Sequence, residues 1–205
     1  MWRLCATLTF AVLLAAGCAK KAGPPPPAGA SSAPSSTRTP NAVPFTDREL
    51  ADTLRQQTRS AAATGRVTSA TSNDPVPEIQ ETQRGVVITL PQTYFEFDNF
   101  DLDARARRIV ERIAYVLNHP RAADRRVVLE GHADAIGTDE YNLTLSRHRA
   151  ETVARELVGQ GVRRERVTVE AYGESRPAAP NQNRDGTDNP SGRAKNRRVE
   201  AVIRR

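Results

Sequence analysis

Hydrophobic and polar positions follow two alternating rhythms along the second half of the chain. Val86–Leu90 is a short apolar β-type run, and Tyr94–Phe97 alternates after it. Leu102, Ala106, Ile109, Val110, Ile113 and Leu117 then recur at helical spacing, which predicts an amphipathic helix closed by Asn118-His119-Pro120. A second strand is expected at 126–130, a second helix from Thr138 to Gly161 and a third strand at 167–172. A long polar loop over 173–196 and a last strand at 199–203 complete the pattern. Strands alternating with single helices predict a two-layer α/β (α+β) sandwich, βαβαβ-β, with about four strands in a mixed sheet.

The first half reads differently. Met1-Trp2-Arg3 precedes an apolar run, Leu4–Ala16, that is too short to span a bilayer and matches a secretory signal over 1–17. Leu14-Ala15-Ala16-Gly17-Cys18 resembles a bacterial lipobox, with Ala15 where leucine is usual. That resemblance implies lipidation of Cys18. Ala19 after it, rather than aspartate, implies the outer membrane of a Gram-negative cell with the domain facing the periplasm.

Residues 18–85 are expected to be a Pro/Ala/Ser-rich tether, since half of the chain's 14 prolines fall within 19–44. As a coil it would span roughly 45 Å. Within it Thr46-Asp47-Arg48-Glu49 is a capping box, and a short helix is expected at 47–62 with a thin apolar face. The folded domain is expected over 86–205.

Composition narrows the function. At 38% hydrophobic residues, the 205-residue chain suits one domain plus an extension. The net charge of +6 is carried mostly by arginine without a block of like charge, so nucleic acid is excluded as a partner. Cys5 and Cys18 lie too far from the domain to staple it or to form a zinc or redox motif. No cofactor and no metal is expected.

The candidate chemistry lies around the second helix. Ala150, Val153, Ala154 and Leu157 form its core stripe, and Asn142, Ser146 and Arg149 form a polar line on the stripe's margin. Arg149, between Leu145 and Val153, is expected to be partly buried and so to need an anionic partner. Asp134 leaves the second strand after Gly131-His132-Ala133, and Gly137 permits a tight turn into the helix. A carboxylate and a guanidinium at this end of the sheet suit a zwitterionic ligand, or each other as a private salt bridge.

The run from Gly131 to Asn142, continued by Leu143 to Ala150, resembles the signature of OmpA-like peptidoglycan-binding domains. Phe95-Glu96-Phe97-Asp98, Ala171-Tyr172-Gly173-Glu174-Ser175-Arg176-Pro177 and Gly192–Glu200 resemble that family's other motifs in the same order. The form Gly-His-Ala-Asp, with Ala133 for the commoner threonine, is similar to the peptidoglycan-associated lipoprotein branch. The resemblance implies that Asp134 and Arg149 clamp diaminopimelate of the peptidoglycan stem peptide. It implies a pocket shaped by Gly137, Thr138, Tyr141, Asn142 and Leu143, with Arg197 and Arg193 at the rim. It also implies a mechanical role, holding the outer membrane to the cell wall, and proteins of a Tol-Pal-type system as partners.

Two rival readings remain. An enzyme would need a nucleophile or metal motif, and His-Glu-x-x-His and the nucleophile elbow are both missing. His132 is instead expected to be a packed residue bonding the strand end. A protein-interaction module would use the same domain with the pocket idle.

Overall fold

A computed structural model describes residues 42–63, 76–95 and 100–205. The expected signal segment 1–17 and the lipidation site Cys18 lie outside the described residues. Among the described residues no helix is long and apolar enough to cross a membrane.

Five strands form one sheet: β1 (Glu78–Thr82), β2 (Gly85–Pro91), β3 (Arg126–His132), β4 (Val167–Gly173) and β5 (Arg198–Arg204). Their order is β1-β2-β5-β3-β4. Only β3 and β4 run parallel, joined by the helix α3 (Asp139–Gly159), and the other neighbours are antiparallel. With α1 (Asp47–Ala63) and α2 (Ala104–Leu117), α3 covers one face of the sheet. That face holds the core, where Leu90, Leu117, Leu129, Leu157 and Ile203 are fully buried. The opposite face carries a small apolar patch of Val87, Val128 and Val202, and a short helix, α4 (Pro190–Asn196), precedes β5.

The expected two-layer sandwich is present with more elements than the pattern predicts. The helix over 47–62 forms as α1, but it is part of the fold. Leu50, Ala51 and Leu54 are fully buried, and the helix lies against α2. Two arginines fasten it. Arg121 donates to Glu49 at 3.0 Å and to the Val43 carbonyl at 2.8 Å. Arg125, 1% exposed, reaches both the Asp47 carboxylate and the Phe45 carbonyl.

The stretch expected to be tether after α1 contains β1. In its sequence, EIQET, Ile79 is the one residue buried, so an edge strand with this pattern leaves no apolar run to read. The folded domain therefore begins well before residue 86.

Smaller differences have local causes. Leu102 precedes α2 and forms a bridge with Phe95, because Asp103 caps the helix by accepting the Ala106 N–H at 2.6 Å. Gln92–Tyr94 is a 3-10 turn in place of a strand, and 96–99 lie outside the described residues. The loop expected over 173–196 contains α4, opened by Asn189, whose side chain accepts from Gly192 N at 2.9 Å.

Candidate functional site

The site lies where β3 ends, α3 begins and β5 starts. Antiparallel pairing sets His132 opposite Arg198, so Asp134 just past β3 meets Arg197 just before β5. Gly131 is required here, since a Cβ would fall 2.0 Å from the Ser146 carbonyl oxygen. This close approach of β3 to α3 brings Asp134 and Arg149 to one place. Gly137, at φ 108°, makes the turn between them. Thr138 caps α3 by accepting the Tyr141 N–H at 3.2 Å.

Asp134 is 7% exposed and well supplied with donors. Its Oδ1 accepts from Ile136 N at 3.2 Å. Its Oδ2 accepts from Arg197 at 2.6 Å and from Arg193 at 3.4 Å. Arg193 is held in turn by both oxygens of Asp188, at 2.7 and 2.6 Å.

Arg149 is in the opposite condition. It is 7% exposed, and its Nε and Nη1 have no hydrogen-bond partner among the described residues. Its guanidinium carbon lies 5.8 Å from the centre of the Phe95 ring. Burial first, then the positive charge of Arg197, pulls its pKa below the ordinary arginine value, and the negative charge of Asp134 opposes them. The private salt bridge between Asp134 and Arg149 is absent among the described residues. Among the described residues the aspartate is engaged by other arginines, while Nε and Nη1 of the buried guanidinium have no acceptor.

The remaining expected residues divide into two groups. Tyr141 and Leu143 are 60% and 41% exposed, and Ile136, which the sequence pattern does not single out, is a further exposed apolar side chain at 59%. Asn142 and Ser146 are buried and bonded within the fold. Asn142 is 1% exposed and donates to the Asp134 carbonyl at 3.0 Å and to Glu174 at 2.7 Å. Ser146 accepts from Gly173 N at 3.1 Å. The polar line on α3 thus bolts the helix to the ends of β3 and β4, with Arg149 as its one open member.

His132 packs as expected, 2% exposed, but neither of its nitrogens is bonded among the described residues. Burial first, then the charge of Arg198, lowers its pKa to about 4. His148 is at the surface beside Glu151, at 3.6 Å, so the two histidines do not converge.

The sequence pattern misses the polar network beneath His132. It comprises Arg84, Glu130, Arg198 and Glu200, joined across three elements by strand register. A separate groove of about 1040 Å³ runs along β1, β2 and α4. It includes Arg197 and Glu200 but neither Asp134 nor Arg149.

Comparison with known proteins bears on the fold and the family. The OmpA family model matches residues 94–193. A stretch of Photosystem I P700 chlorophyll a apoprotein A2 from Gloeobacter violaceus is 40% identical over 125 residues, covering 58% of this chain and 14% of that protein. The peptidoglycan-associated lipoprotein of Pseudomonas aeruginosa is 44% identical over 107 residues, covering 52% of this chain and 58% of that one. The chain thus spans only part of these relatives. Among solved structures, the cell wall anchor of the T6SS from Pseudomonas aeruginosa superposes with a TM-score of 0.51 at 26% identity, covering 74% of this chain and 97% of that one. Together with the mixed sheet and the Gly131–Ala150 motif, these matches make residues 94–193 of the chain similar to the OmpA family.

Proposed function

We propose that this chain binds peptidoglycan without bond-making, through diaminopimelate of the stem peptide. We further propose that it holds the outer membrane to the wall by lipid on Cys18. The observation that carries the reading is the buried, unsatisfied edge of Arg149 beside a carboxylate. A buried guanidinium without an acceptor is costly unless a ligand supplies one. A carboxylate suits it, since the pair can form two parallel charge-assisted bonds. Asp134 offers the complementary anion for an ammonium.

A zwitterionic amino-acid end satisfies both groups, and the rim of Ile136, Tyr141 and Leu143 covers its aliphatic chain. The similarity to a protein named peptidoglycan-associated lipoprotein supports the same ligand. No step of bond cleavage is assigned to the site.

The test is co-sedimentation of the full chain with purified peptidoglycan, together with calorimetry on a diaminopimelate-containing stem peptide. Saturable binding lost in both Asp134→Ala and Arg149→Ala supports the reading. A folded chain that ignores both ligands overturns it. The exposed apolar rim would then serve a protein partner, a Tol-Pal-type protein among them.

A further inference from the structure

The helix-free face of the sheet carries a second polar cluster that the wall ligand does not need. Strand pairing sets Glu130 directly opposite Glu200. They are 7% and 9% exposed, and like charges placed opposite one another on adjacent strands repel.

A cation offsets them. Arg84, from the turn between β1 and β2, lies across the pair. It donates to Glu130 at 2.7 Å and to Glu200 at 2.7 Å, while its own side chain is 49% exposed. Arg198 braces the other oxygen of Glu200 at 2.7 Å. His132, two residues along β3 from Glu130, is left out of this network. It stacks on Tyr172 with ring centres 5.5 Å apart, and Nε2 lies 4.0 Å from a Glu130 oxygen. Neither nitrogen is bonded among the described residues.

Arg84 thus answers the charge of the carboxylates and leaves the imidazole lone pair unused. A metal ion would answer both. One ligand atom from each of Glu130, His132 and Glu200 lies within 4.8 Å of the others. Tetrahedral zinc, bonded at about 2.0–2.2 Å, needs its ligand atoms about 3.3–3.5 Å apart. The ligand atoms would therefore draw together by at most about 1.5 Å on binding. An imidazole with two carboxylates selects a transition cation over calcium or magnesium, which prefer all-oxygen sites.

We propose that Glu130, His132 and Glu200 form a site for a divalent transition cation, zinc fitting best, and that Arg84 occupies the cation's position until the metal displaces it. The outward exposure of Arg84 gives it room to leave. Arg198 stays on Glu200 and holds that carboxylate in place. Water takes the fourth position.

The test uses the full chain with Cys5→Ser and Cys18→Ser, which removes both thiols. Zinc chloride is titrated against a chromophoric chelator, and cobalt chloride reports the geometry by its visible absorption. One zinc per chain is expected, with a tetrahedral cobalt spectrum. His132→Ala and Glu130→Gln weaken binding at least about tenfold. Arg84→Ala tightens it severalfold, because the internal competitor is gone, and this surface change leaves the core intact. His148→Ala changes nothing. Absence of binding in both the parent chain and Arg84→Ala overturns the proposal. So does zinc binding that survives His132→Ala with the fold intact by circular dichroism.

Discussion

Arg197 donates to Oδ2 of Asp134 at 2.6 Å, so the aspartate is already engaged, while Nε and Nη1 of Arg149 have no partner among the described residues. The two ends of a zwitterion therefore meet unequal receptions. A carboxylate finds an empty acceptor position, and an ammonium finds one shared with a guanidinium. Amidating the ligand's carboxylate should weaken binding about tenfold or more, since a charge-assisted bond contributes about 1.5–3 kcal/mol. Acetylating its amine should cost less. Calorimetry with the two blocked ligands checks the order, and a larger loss from acetylation would refute it.

The proposed role of Arg149 sets binding against stability. Arg149→Met removes a buried charge without an acceptor and keeps most of the side-chain volume. The free domain should become more stable by about 1–3 kcal/mol, as expected when an unsatisfied buried group is replaced by an apolar one. Peptidoglycan binding should vanish in the same variant. Urea unfolding beside co-sedimentation reads both. A destabilised variant would mean that the guanidinium has a partner in the folded chain.

Asn142 and Gly131 should behave as positioning residues. Asn142→Ala leaves the buried Asp134 carbonyl without its 3.0 Å donor and should cost about 1–3 kcal/mol. Gly131→Ala drives a Cβ against the Ser146 carbonyl and should cost at least about 1–3 kcal/mol, the usual range for overpacking. Both should weaken ligand binding through a displaced Asp134. Unfolding curves with ligand titrations separate this from a direct contact, which would spare stability.

The first helix should matter to the whole fold. Leu54 is fully buried, and Leu54→Ala should cost about 2–5 kcal/mol. A helix that merely belonged to a tether would show no change. Its cap should respond to acid. The Thr46 backbone N–H first, then the Arg121 side chain, holds Glu49 down to about 2 from its usual 4.5. A depressed carboxylate stabilises the fold above its unfolded value and loses that contribution as pH falls towards the folded one. Amide protection at Thr46 and in the first turn of α1 should therefore decline between about pH 4.5 and 2. Hydrogen exchange followed by NMR checks it.

The strands β2 to β5 and the helices α2 and α3 were legible because each carried its own period of apolar residues. Asp134, Gly137 and Arg149 were legible because their spacing and their odd place on the helix margin pointed to one corner. What escaped was held by contacts that no local pattern records. In β1, Ile79 alone turns to the core, and the strand exists because β2 offers it an edge. The burial of α1 depends on Arg121 and Arg125, far along the chain. The open condition of Arg149 could not be read either, because it depends on Arg197 reaching Asp134 first. The network around His132 arises from register, which sets Glu130 against Glu200 across two strands that are remote in sequence.

The buried Arg125 has a mechanical consequence. It grips the Phe45 carbonyl, where the upstream chain joins the domain, and it directly precedes β3, whose far end leads to Asp134. A pull between that upstream chain and a molecule held at Asp134 would run lengthwise along one strand. β3 is hydrogen-bonded to β5 on one side and to β4 on the other. Such a load shears two ladders at once instead of peeling bonds one by one.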